Sequence, residues 1–146
     1  MSEHYLPDLL PVPQPMDAGY DLPHFEGLKQ ERLIIQRCSR CRTWIWGPEH
    51  VCYECLAWDP PWVEVEARGQ VYAWTRVWSP GFKPLKPATP YMAVLVELPH
   101  AGHVRMIGNL LGERTQRVRI GDPVVGRFEH HDSNGYRYSL LHWTSA

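Results

Sequence analysis

The sequence predicts a mainly β chain in three consecutive parts: an extended arm with a short helix over residues 1–32, a metal-stapled ribbon over 33–61, and a small antiparallel barrel over 62–146. Three observations predict it. All four cysteines fall in two close pairs, Cys38 with Cys41 and Cys52 with Cys55. The first stretch is rich in proline. Beyond Cys55, apolar and polar residues alternate in short runs broken by turn residues.

The cysteine pairs come first because their chemistry is the most specific. Two thiolates with two residues between them wrap a tight turn around one metal ion, and a second such turn completes the all-sulfur tetrahedron that Zn²⁺ adopts in structural sites. Cys38, Cys41, Cys52 and Cys55 are therefore expected to hold one zinc ion per chain. A shell filled by four thiolates has no position left for water or substrate, so the expected role of the metal is structural. The N-terminal residues show neither a basic nor an apolar leader segment, and no run of about 18 apolar residues exists to span a membrane. A cytoplasmic location is expected, and a reducing compartment favours metal over disulfides.

Pro7, Pro11, Pro13 and Pro15 forbid a regular helix at the start and favour an extended arm. Leu9, Leu10, Val12, Met16 and Tyr20 are apolar enough for this arm to dock on its own fold or on a partner. Asp21 is placed to cap a short helix with Pro23 in its first turn, bringing Leu22, Phe25 and Leu28 near one face, with Gly27 weakening it. Leu33 to Gln36 and Thr43 to Trp46 read as ribbon strands on either side of the first cysteine turn.

Trp62 to Arg68 alternates Val63, Val65 and Ala67 with Glu64, Glu66 and Arg68, and Gly69 is expected to end it. Val71 to Trp78, Tyr91 to Leu98, Val104 to Leu111, Val124 to Phe128 and Tyr136 to Trp143 follow as further strands. A proline-stiffened loop from Ser79 to Pro90, a turn at Pro99 to Gly102, a helical turn around Glu113 to Gln116 and a hairpin turn at Ser133-Asn134-Gly135 separate them. So many short strands without a long helix suit a closed or partly closed barrel such as the five-stranded OB-fold.

The net charge of −1 provides no global field for nucleic acid. Lys29, Arg32, Arg37, Arg40 and Arg42 form a local basic run, which Glu49, Glu54, Glu64 and Glu66 can balance as a solvated face.

Several short segments in fixed order resemble one known family: Phe25-Glu26-Gly27-Leu28 before the cysteines, the two pairs themselves, Gly69 to Thr75, Pro90-Tyr91, Val96-Glu97-Leu98, Gly108-Asn109-Leu110 and Val118 to Gly121. They are similar to the zinc-ribbon/OB-fold proteins associated with acyl-CoA enzymes, over about Leu22 to Trp143. The resemblance implies a helical arm, a rubredoxin-like ribbon and a C-terminal OB-fold. It also implies a partner subunit that is a thiolase-like enzyme of the lipid-transfer type or an acyl-CoA hydratase. The role implied is in acyl transfer, thiolysis or retro-aldol carbon–carbon cleavage, including steroid side-chain degradation. Zinc carries over onto all four cysteines, and no catalytic residue carries over. Where many ribbons place glycine after each pair, Arg42 and Leu56 stand here, so left-handed strain is expected in both turns.

With every cysteine committed to metal, no nucleophile with an adjacent base can be named. His130-His131-Asp132 beside the Asn134-Gly135 turn reads as a solvated hairpin end, and His50 as a spare ligand beside a shell already full. Seven tryptophans, four of them (Trp44, Trp46, Trp58 and Trp62) near the ribbon, exceed what a small core easily hides, and split between packing and a partner face. Gly81, Phe82, Lys83 and Lys86 on the proline loop, with Tyr91 at its end, are the expected contacts with acyl-CoA or with a partner's active-site mouth, the lysines facing CoA phosphates. The expected function is that of a non-catalytic subunit completing an acyl-CoA site. The alternative is a nucleic-acid-binding ribbon/OB-fold module, against which the balanced charge speaks.

Overall fold

The computed structural model describes residues 4–8, 10–13, 19–133 and 135–146. The expectations for Leu9, Pro15, Met16 and Asn134 lie outside these residues.

Helix α1 (Leu22–Lys29) begins with Asp21 at the cap position and Pro23 in the first turn, yet the Asp21 side chain makes no capping hydrogen bond. The buried face is His24, Gly27 and Leu28, one step from the expected Leu22/Phe25/Leu28 stripe. The reason lies in the chain that follows. A Cβ on residue 27 would stand 2.8 Å from Ile34 Cγ1 and 2.9 Å from the Arg32 carbonyl oxygen, so glycine lets the helix press against the first strand. The helix closes with Glu31 N–H donating to Leu28 O at 3.1 Å and Arg32 N–H to Gly27 O at 2.9 Å, with Glu31 left-handed at φ 57°. This is a Schellman closure with glutamate where glycine is usual.

Strand β1 (Leu33–Arg37) is the centre of a three-stranded antiparallel sheet, with β2 (Trp44–Ile45) on one side and β3 (Trp62–Val65) on the other. Leu33 faces Val65 and Gln36 faces both Ile45 and Trp62. The alternating run that starts at Trp62 thus completes the ribbon sheet and breaks at Glu66, two residues before β4.

Strand β4 (Arg68–Val77) starts the second sheet, and Gly69 lies inside it. The expectation that Gly69 ends a strand fails for a packing reason: a Cβ there would collide with the Glu97 carbonyl oxygen and reach within 2.7 Å of Val96 Cγ1. Glycine marks the close approach of two strands. With β5 (Tyr91–Leu98), β6 (Val104–Asn109), β7 (Pro123–Ser133) and β8 (Tyr136–Ser145), β4 forms a five-stranded sheet in the order β6-β5-β4-β7-β8. The register shifts between Val71 and Ala73, where β4 bends so that its first residues pair with β7 and the rest with β5. Closure comes from a parallel bridge of Leu110 to Trp143, with Leu111 N–H donating to Trp143 O at 2.7 Å. The result is the expected OB-fold barrel. The loop before β5 folds into a 3-10 turn, Lys83–Ala88, and Glu113 to Gln116 makes a single turn closed by Gln116 N–H on Glu113 O at 3.0 Å.

One core serves both sheets. Leu33 and Ile35 of the ribbon are buried with Val71, Met92, Val94, Val96, Met106, Val124 and Trp143 of the barrel, and Trp44, Trp46, Val65 and Ala67 pack against this cluster. Half of the tryptophans near the ribbon are thereby explained as the seam between ribbon and barrel. Trp58 remains 75% exposed at the ribbon tip beside Leu56 and Tyr53, and Trp78 is 64% exposed at the entrance to the proline loop.

Candidate functional site

The two cysteine turns have the same backbone plan. In the first, Cys38 N–H donates to Thr43 O at 2.8 Å and Arg42 N–H to Cys38 O at 2.9 Å; in the second, Cys52 N–H donates to Ala57 O and Leu56 N–H to Cys52 O, both at 2.9 Å. Arg42 (φ 67°) and Leu56 (φ 59°) take the left-handed conformation at matching positions, as expected from the missing glycines. Gln36, buried between the turns, joins them: its amide donates to Glu49 O at 2.9 Å and accepts from Glu49 N–H at 2.8 Å. Its only sequence signal is a polar residue after three apolar ones in β1.

These turns bring the four sulfurs within 4.8 Å of one another. Cys38 to Cys55 and Cys41 to Cys52 are each 3.6 Å apart, close to the ~3.8 Å edge of a tetrahedron with zinc–sulfur bonds of about 2.3 Å. All four are free of disulfides. The donor set fits one zinc ion. The Thr43 hydroxyl, 3.1 Å from Cys41 Sγ, and the Thr43 N–H pull the Cys41 thiol down to about 6, so it offers a thiolate at neutral pH. Cys38 is lowered by the N–H groups of Cys41 and Arg40. His50 packs against Tyr20, ring centroids 4.1 Å apart, and is not in the sulfur cluster.

Two cations of the basic run are paired with carboxylates and a third lies over a ring. Lys29 pairs with Glu26 at 2.6 Å, Arg32 with Glu64 at 2.8 Å, and Arg37 lies over the Trp44 ring at 4.6 Å.

On the barrel, Gly81, Phe82, Lys83 and Lys86 are exposed along the proline loop, and half-buried Tyr91 opens β5 at its end. Phe82 is 47% exposed, so it does not belong to the core. The Arg114 guanidinium binds the end of this loop, donating to Ala88 O and, at 3.3 Å, to Pro90 O.

A third group of polar residues was not foreseen as a unit. His130 and His131 sit within β7; His130 is exposed as expected near the hairpin turn, whereas the His131 side chain is only 8% exposed. Beside them the Glu129 carboxylate accepts from His131 Nε2 at 2.8 Å, His142 Nε2 at 3.3 Å and Tyr5 N–H at 3.0 Å. Burial works to raise its pKa, but the bonds from His142, Tyr5 and His131 hold it down to about 2. Asn109 donates to His142 Nδ1 at 3.4 Å. The network spans β6, β7, β8 and the arm, and the doublet of histidines was its only sequence signal.

A zinc ribbon joined to an OB-fold barrel through one core is the class of protein that these features define. Residues 25–59 match the family model of the ChsH2 rubredoxin-like zinc ribbon domain, and residues 62–129 that of the ChsH2 C-terminal OB-fold domain. The chain belongs to the ChsH2 family. It is similar, with 30% identity and a TM-score of 0.75, to a chain of the solved Ltp2-ChsH2(DUF35) aldolase, the match covering 90% of this chain and 98% of that one. Over 101 residues it is 38% identical to a probable enoyl-CoA hydratase alpha subunit of Thermomonospora curvata, a match to 69% of this chain. It spans only 30% of that relative's length. A DUF35-family protein of unknown function from Sulfolobus solfataricus shares the fold at a TM-score of 0.60 and 18% identity, over 88% of this chain and 87% of that one.

Proposed function

We propose that the chain is a non-catalytic zinc subunit of an acyl-CoA complex whose chemistry is carried by a thiolase-like partner, with retro-aldol carbon–carbon cleavage the favoured reaction. The observation that carries this reading is the match over nearly the whole length of a ChsH2 chain from a structure described as an aldolase with Ltp2. The likeness to part of a probable enoyl-CoA hydratase subunit supports the same setting, chemistry on acyl-CoA thioesters. Zinc, when bound, crosslinks the two cysteine turns and supplies no open coordination position. The chain's own residues then act by shape and charge. Phe82 offers an aromatic anchor, Lys83 and Lys86 offer cations to CoA phosphates, and Gly81 and Tyr91 bound the surface through which the partner's acyl-CoA site is completed. A steroid side chain is the substrate class implied by the family resemblance.

Co-expression with a lipid-transfer-type thiolase from the same genome tests this reading. The expected result is co-purification and a partner whose carbon–carbon cleavage activity is lost when this chain is omitted. Turnover of acyl-CoA by this chain alone, or full activity of the partner without it, overturns the reading.

A further inference from the structure

We propose that residues 4–8 form a strap latched onto the barrel by a doubly protonated His4, and that this strap, through Tyr5 and Arg114, holds the end of the 79–90 loop in place.

The protonation state follows from what the ring faces. His4 Nε2 lies 3.1 Å from the His130 carbonyl oxygen and Nδ1 lies 2.5 Å from Asp8 Oδ1. A carbonyl and a carboxylate both only accept, so both ring nitrogens must donate, and the ring is an imidazolium. The surroundings agree. The His4 ring lies over that of His131, centroids 3.8 Å apart, and His131 in turn stacks on Tyr138 at 4.7 Å. His131 gives its Nε2–H to Glu129, as does His142, and among the described residues the carboxylates that act on His4 are Asp8 from the strap and Glu129 from β7. Among the described residues, Arg114 binds the neighbouring Tyr5 carbonyl, and Lys29 and Arg137 line a cavity with His130 and His131; Lys29 pairs with Glu26 and Arg137 with Asp132. The hydrogen bond to Asp8 is the largest influence on His4 and raises its pKa above the ordinary value, against the opposing effect of burial and with help from the charges of Asp8 and Glu129.

Tyr5 converts the latch into a brace. Its N–H donates to Glu129 at 3.0 Å, its hydroxyl oxygen accepts from Met92 N–H at 3.2 Å, and its carbonyl accepts from Arg114 Nη2 at 3.0 Å. The Arg114 guanidinium also lies over the Tyr5 ring at 4.6 Å while its other nitrogen binds Ala88 O and Pro90 O. One side chain thus ties the strap to the loop. The linkage has a definite sign. The Asp8 bond lies within the strap, so what docking adds to His4 is the His130 carbonyl and the Glu129 charge, both of which raise its pKa. A group whose pKa is raised on docking favours the docked state fully below its free pKa, and that advantage is lost as pH rises through the docked value. The strap is therefore latched in mild acid and released on the alkaline side, and the loop loosens with it.

Amide hydrogen exchange on the zinc-loaded full chain, corrected for intrinsic rates, tests this between about pH 5.5 and 8.5, a range that brackets an ordinary histidine. Protection of Tyr5 and of the loop amides is expected to fall together on the alkaline side, about tenfold for each unit by which docking raises the His4 pKa. In His4→Gln the pH dependence should vanish, and in Asp8→Asn it should move to lower pH. In Arg114→Met the loop should become mobile at every pH. His103→Gln, which alters an exposed histidine paired with Glu97, should leave the transition in place. Flat protection in the wild type, or a transition that persists in His4→Gln, overturns the latch. Restored protection at alkaline pH on adding Zn²⁺ beyond the ribbon's share, abolished by His131→Ala, would show a metal in place of the proton and overturn it equally. Any bearing of the loop on partner binding rests on the function proposed above, whereas exchange on the free chain reads the strap alone.

Discussion

The cysteine turns and the histidine-carboxylate network are both small polar clusters, but they are assembled over different distances along the chain. Every zinc ligand lies within 17 residues of every other, with each pair closed by its own local hydrogen bonds. Tyr5 and Glu129 are 124 residues apart, and His4 and the His130 carbonyl 126. A local cluster writes its geometry into residue spacing, because a short loop permits few arrangements. A distant cluster depends on the barrel closing first, and spacing says nothing about it. The two should also fail differently.

The largest failure is expected at the metal. Metal-coupled folding at a thiolate site is worth on the order of 10 kcal/mol, and the ribbon shares its core with the barrel. Cys38→Ser should therefore abolish zinc binding and lower the melting temperature of the whole chain, not of the ribbon alone. Metal analysis beside a thermal melt checks this. A variant that keeps its zinc would remove Cys38 from the site, and a barrel that melts unchanged would show two independent folding units.

Gly69 probes the barrel at a lower energy. A side chain there meets the Glu97 carbonyl and Val96 with no flexible end to yield, and overpacking of this kind costs about 1 to 3 kcal/mol. Gly69→Val is expected to lower the unfolding free energy read from urea titration by that amount while leaving zinc content untouched. A neutral result would mean that β4 and β5 can part without loss.

What was legible follows the same division between near and far. The cysteine spacing specified the ribbon, and the period-two runs specified all five barrel strands, with Tyr91 to Leu98 correct to the residue. The misread pieces were those that a distant neighbour decides. Gly69 looks like a strand end until Glu97 is beside it, and Trp62 to Val65 looks like a barrel strand until β1 claims it. His131 looks solvated until the arm covers it. Arg42 and Leu56 were legible as strained turn residues because the strain is local.

A smaller effect, about 1 kcal/mol as for a typical hydrogen bond, is expected where helix meets ribbon. His24 is buried, with Nδ1 3.0 Å from Ile34 O and its ring 4.7 Å from that of Trp46. Burial lowers its pKa, opposed by the Ile34 bond. A depressed value means that neutral His24 contributes stability fully above its unfolded pKa near 6.5, and that this contribution is lost as pH falls below it. Urea midpoints between about pH 7.5 and 5.5 should fall in the wild type and fall less in His24→Phe. Equal slopes would show that the ring accepts a proton in place.

The smallest expected change in stability is also the sharpest test of the comparison, because it separates fold from function. Phe82 is exposed on the proline loop and packs in neither core cluster, so Phe82→Ala should leave zinc content and melting temperature nearly unchanged. If the loop meets a thiolase-like partner, such an aromatic belongs to the few anchors that carry an interface, each worth about 2 kcal/mol or more when truncated. That corresponds to a loss of roughly 30-fold in affinity. Titration of the variant against the purified partner measures it directly. Lys83→Ala and Lys86→Ala, at exposed positions where charge acts mainly on encounter, should instead slow association and blunt its salt dependence, with little change in dissociation. Wild-type affinity in Phe82→Ala would move the contact surface away from this loop, toward the exposed apolar group of Tyr53, Leu56 and Trp58 on the ribbon tip. A matched Trp58→Ala variant then decides between the two ends of the molecule.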